Sequence, residues 1–205
     1  MNNMRAIITH PLVALSFALC ALAFVPDMTF AAPNCNLQRN LRNADLSGCY
    51  LQIADLSGAD LRGADLSRAQ LWHADLSGAN LTGANLTIAN LEAANLSGAN
   101  LTGAKLIGTY LFRANLTDAI LYGATMFRAN LTDAILYGAN LEGAGLEGAN
   151  LSYANLEGAN FTNTDLTDAV RRPGINRADM DGARGLDTTM GGLDWGNPSP
   201  PKGCC

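Results

Sequence analysis

Ala54-Asp55-Leu56-Ser57-Gly58, echoed by Ala99-Asn100-Leu101-Thr102-Gly103, is the stretch whose reading decides the fold. The pattern Ala-(Asp/Asn)-Leu-X-X runs from Ala44 to Asp168 as twenty-five consecutive pentapeptides. A period of five fits neither the 3.6 of a helix nor the 2 of a plain strand. It suits a chain that turns a corner after each repeat while Leu and Ala keep facing inward. The central residue is Leu except at Met126 and Phe161, so it fills a constant apolar volume. Two residues earlier stands Ala, except at Cys49, Thr109 and Thr164, which marks a cramped inward position. Polar residues fill most of the rest, as an outer wall requires. Gly recurs at the fifth position, where a tight turn uses its backbone freedom.

These repeats resemble the pentapeptide-repeat family, over about three-fifths of the chain. The resemblance implies an all-β fold, a right-handed quadrilateral parallel β-helix (a solenoid) with four pentapeptides to a coil. Twenty-five repeats then make about six coils, stacked at the strand spacing of about 4.8 Å. A short N-terminal cap and an irregular C-terminal tail complete the expected architecture. In such a stack each coil leans on its neighbours.

Residues 1–31 read as a secretory signal peptide. Met1 to Arg5 is a short basic start, Ile7 to Val25 is mostly apolar, and Thr29-Phe30-Ala31 offers small residues for cleavage. The alternative is a retained anchor, but Pro11 and Pro26 bracket an apolar run shorter than a typical span. No stable membrane span is expected after cleavage. Residues 32–43 read as the cap, with Leu37 and Leu41 at helical spacing over the first coil's open edge. Residues 44–168 are the β-helix, 169–190 a degenerate last coil or cap, and 191–205 a flexible tail.

Four cysteines follow the leader: Cys35, Cys49, Cys204 and Cys205. An even count in an exported chain suggests disulfides, with three pairings open. A Cys35–Cys49 bridge would staple the cap to the first coil, although Cys49 also reads simply as an Ala substitute. Cys204 and Cys205 could reach back, link two chains into a homodimer, or stay free. No metal site is expected, since no second cysteine pair or histidine cluster stands at ligand spacing.

Catalysis is poorly supplied, and neither enzyme activity nor a cofactor is expected. His73, at an outward position beside Trp72, reads as solvated. The serines are repeat filler without a nucleophile turn, and no phosphate-binding glycine loop appears. Eight Asn-X-Ser/Thr sequons fall out of the repeat grammar itself. With twenty residues per coil, Asp45 stacks over Asp65 and Asp55 over Asp75. Like charges at that spacing should raise one another's pKa or attract a cation, and the preferred reading over a cation site is that of ordinary solvated carboxylates that hydrogen-bond to the backbone. Further along, Asn85, Asn95 and Asn115 continue the columns as amide ladders.

The outward positions between Lys105 and Ala139 turn apolar: Ile107, Tyr110, Phe112, Ile120, Tyr122, Phe127, Ile135 and Tyr137, bordered by Arg113 and Arg128. Such a belt is a candidate surface for a protein partner, not yet identified. Against a tuned site, Phe112 to Ala124 is repeated identically from Phe127 to Ala139. A shift of three faces points the copied aromatics in a new direction.

The expected function is that of a non-catalytic exported scaffold, a protein-interaction or structural module. Periplasm or secretion is the expected location, or the thylakoid lumen in a cyanobacterium, where exported relatives of the family also occur. The resemblance offers one alternative, because some cytoplasmic members mimic DNA, bind gyrase and protect it from quinolones. Residues 44–168 carry thirteen Asp and Glu against five Lys and Arg, a net of −8. That charge repels nucleic acid, but the aromatic belt interrupts it, and an exported protein would not meet gyrase.

Overall fold

The computed structural model describes residues 40–170. Within them the chain is a stack of square coils, and the register is constant. Every bridge is parallel and joins residues twenty apart, from Asn40↔Asp60 to Asn150↔Val170. Four pentapeptides therefore close one coil. Their central residues define four faces: Leu46, Leu66 and Leu86 begin face 1; Leu51, Leu71 and Leu91 face 2; Leu56, Leu76 and Leu96 face 3; Leu41, Leu61 and Leu81 face 4.

Two sets of backbone bonds make this geometry. Leu96 N donates to the Asn115 carbonyl oxygen at 2.7 Å, Gly98 N to Thr117 O at 2.8 Å, and Asn95 N to Ala74 O at 2.9 Å, tying each repeat to the coils on both sides. Within the repeat, Ala99 N donates to Leu96 O at 3.0 Å and closes the corner. Gly98, third in that turn, has φ of 62°. A four-residue turn with positive φ at its third residue has the type II signature, which favours Gly there. The Asp or Asn before each Leu locks the corner from outside: Asn95 Oδ1, for example, accepts the Ser97 N–H at 3.2 Å.

The interior is one continuous core of leucines and small residues, almost all fully buried. Met126 and Phe161 occupy the leucine position and are equally enclosed. Cys49, Thr109 and Thr164 take the small position and are also buried. The two threonines bring a hydroxyl into an apolar space, and each finds an acceptor. Thr109 Oγ1 donates to Leu86 O, and Thr164 Oγ1 to Leu141 O, both at 2.8 Å. A buried hydroxyl without such a partner would destabilise the stack.

One expectation is corrected at the N-terminal edge. Leu41 is not a helical cap residue. Asn40 bridges Asp60, Leu41 N donates to Asp60 O at 2.8 Å, and the Leu41 side chain is buried like the other central leucines. The ladder thus includes Asn40–Asn43. At the other end Ala169 packs against the core and Val170 bridges Asn150, so the register also passes Asp168. The leader, the remainder of the expected cap, residues 171–190 and the tail lie outside the described residues. Among the described residues no helix is long and apolar enough to cross a membrane.

Candidate recognition wall

Each face presents three outward columns: the Asp/Asn position, the residue after the central Leu, and the corner residue. Every corner from Asn43 to Asp168 has positive φ. Thirteen of these corners are glycines, and all thirteen lie on faces 1, 3 and 4. Face 2 has none. Its corners are Ile53, His73, Ala93, Arg113, Asp133 and Tyr153, with φ between 51° and 62°. For a residue with a Cβ that conformation is unfavourable by about 1–2 kcal/mol, and for β-branched Ile53 it is an outlier. The strain recurs at every coil of one face.

The same face collects aromatics. Tyr50, Trp72, Tyr110, Phe112 and Tyr153 all stand on it. Trp72 meets His73 edge to face, with ring centroids 5.7 Å apart. Arg113 lies over the Phe112 ring at 4.8 Å, and one coil on its Nε is 3.9 Å from Asp133 Oδ2.

Where faces 1 and 2 meet, a shallow groove of about 610 Å³ opens between Arg68, Gln70, Ile88, Asn90, Glu92, Tyr110, Phe112 and Asn130. Its floor is the Asp/Asn column of face 2, here Gln70, Asn90, Tyr110 and Asn130 in successive coils. One bank is the face 1 corner column, Arg68 and Ile88. The other is Glu92 and Phe112. Ile88 is another β-branched residue at positive φ, 60°. Tyr110 and Ile88 are each about half exposed.

Two of the belt residues, Tyr110 and Phe112, enter this groove. The others are dispersed by the register. Ile107 and Phe127 stand on face 1, Ile135 and Tyr137 on face 3, and Ile120 and Tyr122 on face 4. Arg128 covers the Phe127 ring at 4.9 Å on the face 1 corner. The belt is therefore a girdle round all four sides. Arg68, Gln70, Ile88, Asn90, Glu92 and Asn130 were not singled out by sequence reasoning. The absent glycines of face 2 were the available signal, visible once corners are compared every twenty residues.

The stacked acids are the backbone-bonded carboxylates of the preferred reading, each accepting the N–H of the serine two residues on, but at Asp45 the expected upward shift is not found. Asp45 does bridge Asp65, and Asp55 bridges Asp75. The Asp45 carboxyl nevertheless titrates below its ordinary range, because the Ser47 hydroxyl donates to it at 2.6 Å and the Ser47 N–H at 3.1 Å. These local donors outweigh the desolvation that acts in the opposite direction. Asp60 is lowered further, to about 2, by its two-pronged contact with Arg62 at 2.7 and 2.5 Å. The amide ladder exists: Asn85 donates to Asp65 at 3.1 Å, Asn95 to Asp75 at 3.1 Å, and Asn115 to Asn95 at 3.3 Å. Among the described residues no three His, Cys, Asp or Glu side chains are grouped to hold a metal. Of the cysteines, Cys49 is buried on face 2, and Cys35, Cys204 and Cys205 lie outside the described residues.

A family model described as pentapeptide repeats matches in eight copies, over residues 34–71, 64–103, 94–133, 109–148 and 129–168. Among solved structures, HetL is similar, a pentapeptide repeat protein involved in heterocyst differentiation regulation in Nostoc sp. strain PCC 7120. It is 37% identical over 70% of this chain and 73% of its own, with a TM-score of 0.48. QnrB1, a plasmid-mediated fluoroquinolone resistance protein, is 20% identical over 71% of this chain and 87% of its own, with a TM-score of 0.45. A pentapeptide repeat protein of the Arabidopsis thaliana thylakoid lumen is 35% identical over 56% of this chain and 69% of its own, with a TM-score of 0.18. No curated protein matches the chain.

Proposed function

Because the chain belongs to the pentapeptide repeat family, we propose that it is a non-catalytic, exported recognition scaffold whose face 2 is the working wall. Members of the family fold as a right-handed quadrilateral β-helix, a shape that offers long flat walls and no enclosed reaction chamber. The observation that carries the proposal is the run of six non-glycine corners on face 2. Side chains carried in an unfavourable backbone conformation at one column, coil after coil, point to a role for those side chains. A contact surface made of Tyr, Trp, Phe and Arg is the composition of an interface. A single protein docking on the whole girdle would have to touch four faces at once, so Tyr110, Phe112 and Arg113 are the belt residues assigned to the wall.

Export is supported by the basic and apolar start of the chain. Cys49 is buried in the first coil, and we assign Cys35 as its disulfide partner. Such a bridge persists in an oxidising compartment. Intact mass and non-reducing peptide mapping, on protein expressed with its own N-terminus, test both points. The proposal expects loss of residues 1–31 and a Cys35–Cys49 peptide pair. An uncut N-terminus with free thiols would contradict export and reopen the gyrase-binding alternative, which inhibition of gyrase supercoiling would then test.

A further inference from the structure

We propose that the groove between faces 1 and 2 binds a linear, uncharged glycan. This rests on reading face 2 as a recognition wall and names the chemistry of its ligand. The argument begins with what the groove cannot offer. The backbone beneath it is fully used by the ladder: Gln70 N donates to Cys49 O, Asn90 N to Ala69 O, and Leu91 N to Tyr110 O. A peptide strand adding itself to a sheet needs free N–H and C=O groups along an edge, and this floor has none to give. A helix laid in a groove needs a broad apolar bed, whereas here the floor is lined by the amides of Gln70, Asn90 and Asn130.

What remains is a set of side-chain groups suited to sugar. Each amide carries two N–H donors and a carbonyl with two lone pairs. Part of that capacity is used in the stack, where Asn90 Oδ1 accepts the Glu92 N–H and Asn130 Oδ1 the Thr132 N–H and hydroxyl, and the remainder suits a hydroxyl-rich ligand. Tyr110 and Phe112 line the groove with aromatic rings, a surface on which the C–H face of a pyranose can stack; Arg113 covers one face of Phe112, and the tyrosine adds a hydroxyl. The groove's two ionic groups, Arg68 and Glu92, are of opposite sign. The balance favours an uncharged chain over a sulfated or phosphorylated one. From Gln70 to Asn130 the floor climbs three coil steps, about 14 Å at the strand spacing. That length takes roughly three sugar rings, one per coil step. The volume of about 610 Å³ lies within the ordinary range for ligand sites, roughly 300–1,000 Å³.

The test is calorimetric titration of the full chain with cellohexaose, xylohexaose, laminarihexaose, maltohexaose and chitohexaose, with a heparin hexasaccharide as the charged control. The proposal expects at least one neutral oligosaccharide to bind, with affinity rising with chain length and levelling beyond about four units. Tyr110→Ala and Phe112→Ala should each weaken it about tenfold or more, with melting temperatures unchanged because both side chains lie on the outside of the core. Tyr122→Ala on face 4 should leave binding intact. No binding by any neutral sugar, binding of heparin alone, or binding indifferent to Tyr110→Ala and Phe112→Ala would overturn the proposal. Mass spectrometry of the sugar after incubation separates it from the broader reading: cleavage of a bound oligosaccharide would contradict the non-catalytic scaffold while leaving the groove assignment standing.

Discussion

Arg113 and Asp133 stand one coil apart on the same corner of face 2, with Arg113 Nε 3.9 Å from Asp133 Oδ2 and both residues at φ of 57°. Neither side chain is enclosed, and an exposed pair at that distance contributes little. Arg113→Ala is therefore expected to change stability by less than about 0.5 kcal/mol in chemical denaturation. If this pair were the reason for the strained corners, the loss would be several times larger.

The core behaves otherwise. Leu96 is fully buried and its N–H is bonded to the next coil. Leu96→Ala should destabilise by about 2–5 kcal/mol, and Leu96→Asp should unfold most of the stack, because no buried partner awaits the carboxylate. Thermal unfolding by circular dichroism checks both. A near-native melting temperature for Leu96→Asp would contradict the inward placement of the central residue.

Thr109 makes a gentler case. Leu86 O accepts both the Thr109 hydroxyl at 2.8 Å and the Ala89 N–H at 3.0 Å. Thr109→Ala restores the commonest residue of the column and leaves that carbonyl paired, so a loss of no more than about 1 kcal/mol is expected. Thr109→Leu overpacks a fully enclosed site and should be worse by about 1–3 kcal/mol. Urea unfolding of the two variants side by side makes the comparison.

Acid should weaken the stack through Asp60 and Asp45. Both carboxyls titrate lower in the folded chain than the ordinary 3.8, Asp60 at about 2. The unfolded state therefore takes up protons first as pH falls. The stabilisation is complete above about pH 5, declines through 3.8, and for Asp60 is exhausted near 2. Melting temperature measured from pH 6 to pH 2 should fall across that window. Asp60→Asn should flatten the slope, and an unchanged slope would mean that the Arg62 contact does not persist in solution.

Much of the architecture was legible in the sequence because one residue type fills each inward column. The Leu and Ala positions fixed the inner wall and the period of five the corners, while the twenty-residue register came from the resemblance to the pentapeptide-repeat family. Leu41 escaped because Arg39 stands where the repeat has Ala, so its rung looked like part of a helix. The Asp45 direction was misjudged for a different reason. Repulsion between exposed carboxylates is screened by solvent, whereas the Ser47 hydroxyl is in direct contact. The groove was hidden because its banks and floor come from columns of two faces. Arg68 and Gln70 are close in sequence, but Phe112 and Asn130 join them only through stacking.

Face 2 keeps side chains that the fold itself does not favour, and unfolding a corner-glycine variant tests this most directly. Ile53→Gly, Ala93→Gly and Tyr153→Gly are combined in one chain and compared with the parent by thermal melting. Relief of the left-handed strain predicts a higher melting temperature, with a gain of about 1 kcal/mol per corner before the entropy of glycine in the unfolded chain is subtracted. A lower melting temperature would show that these residues hold the β-helix together, and the wall would then be structural.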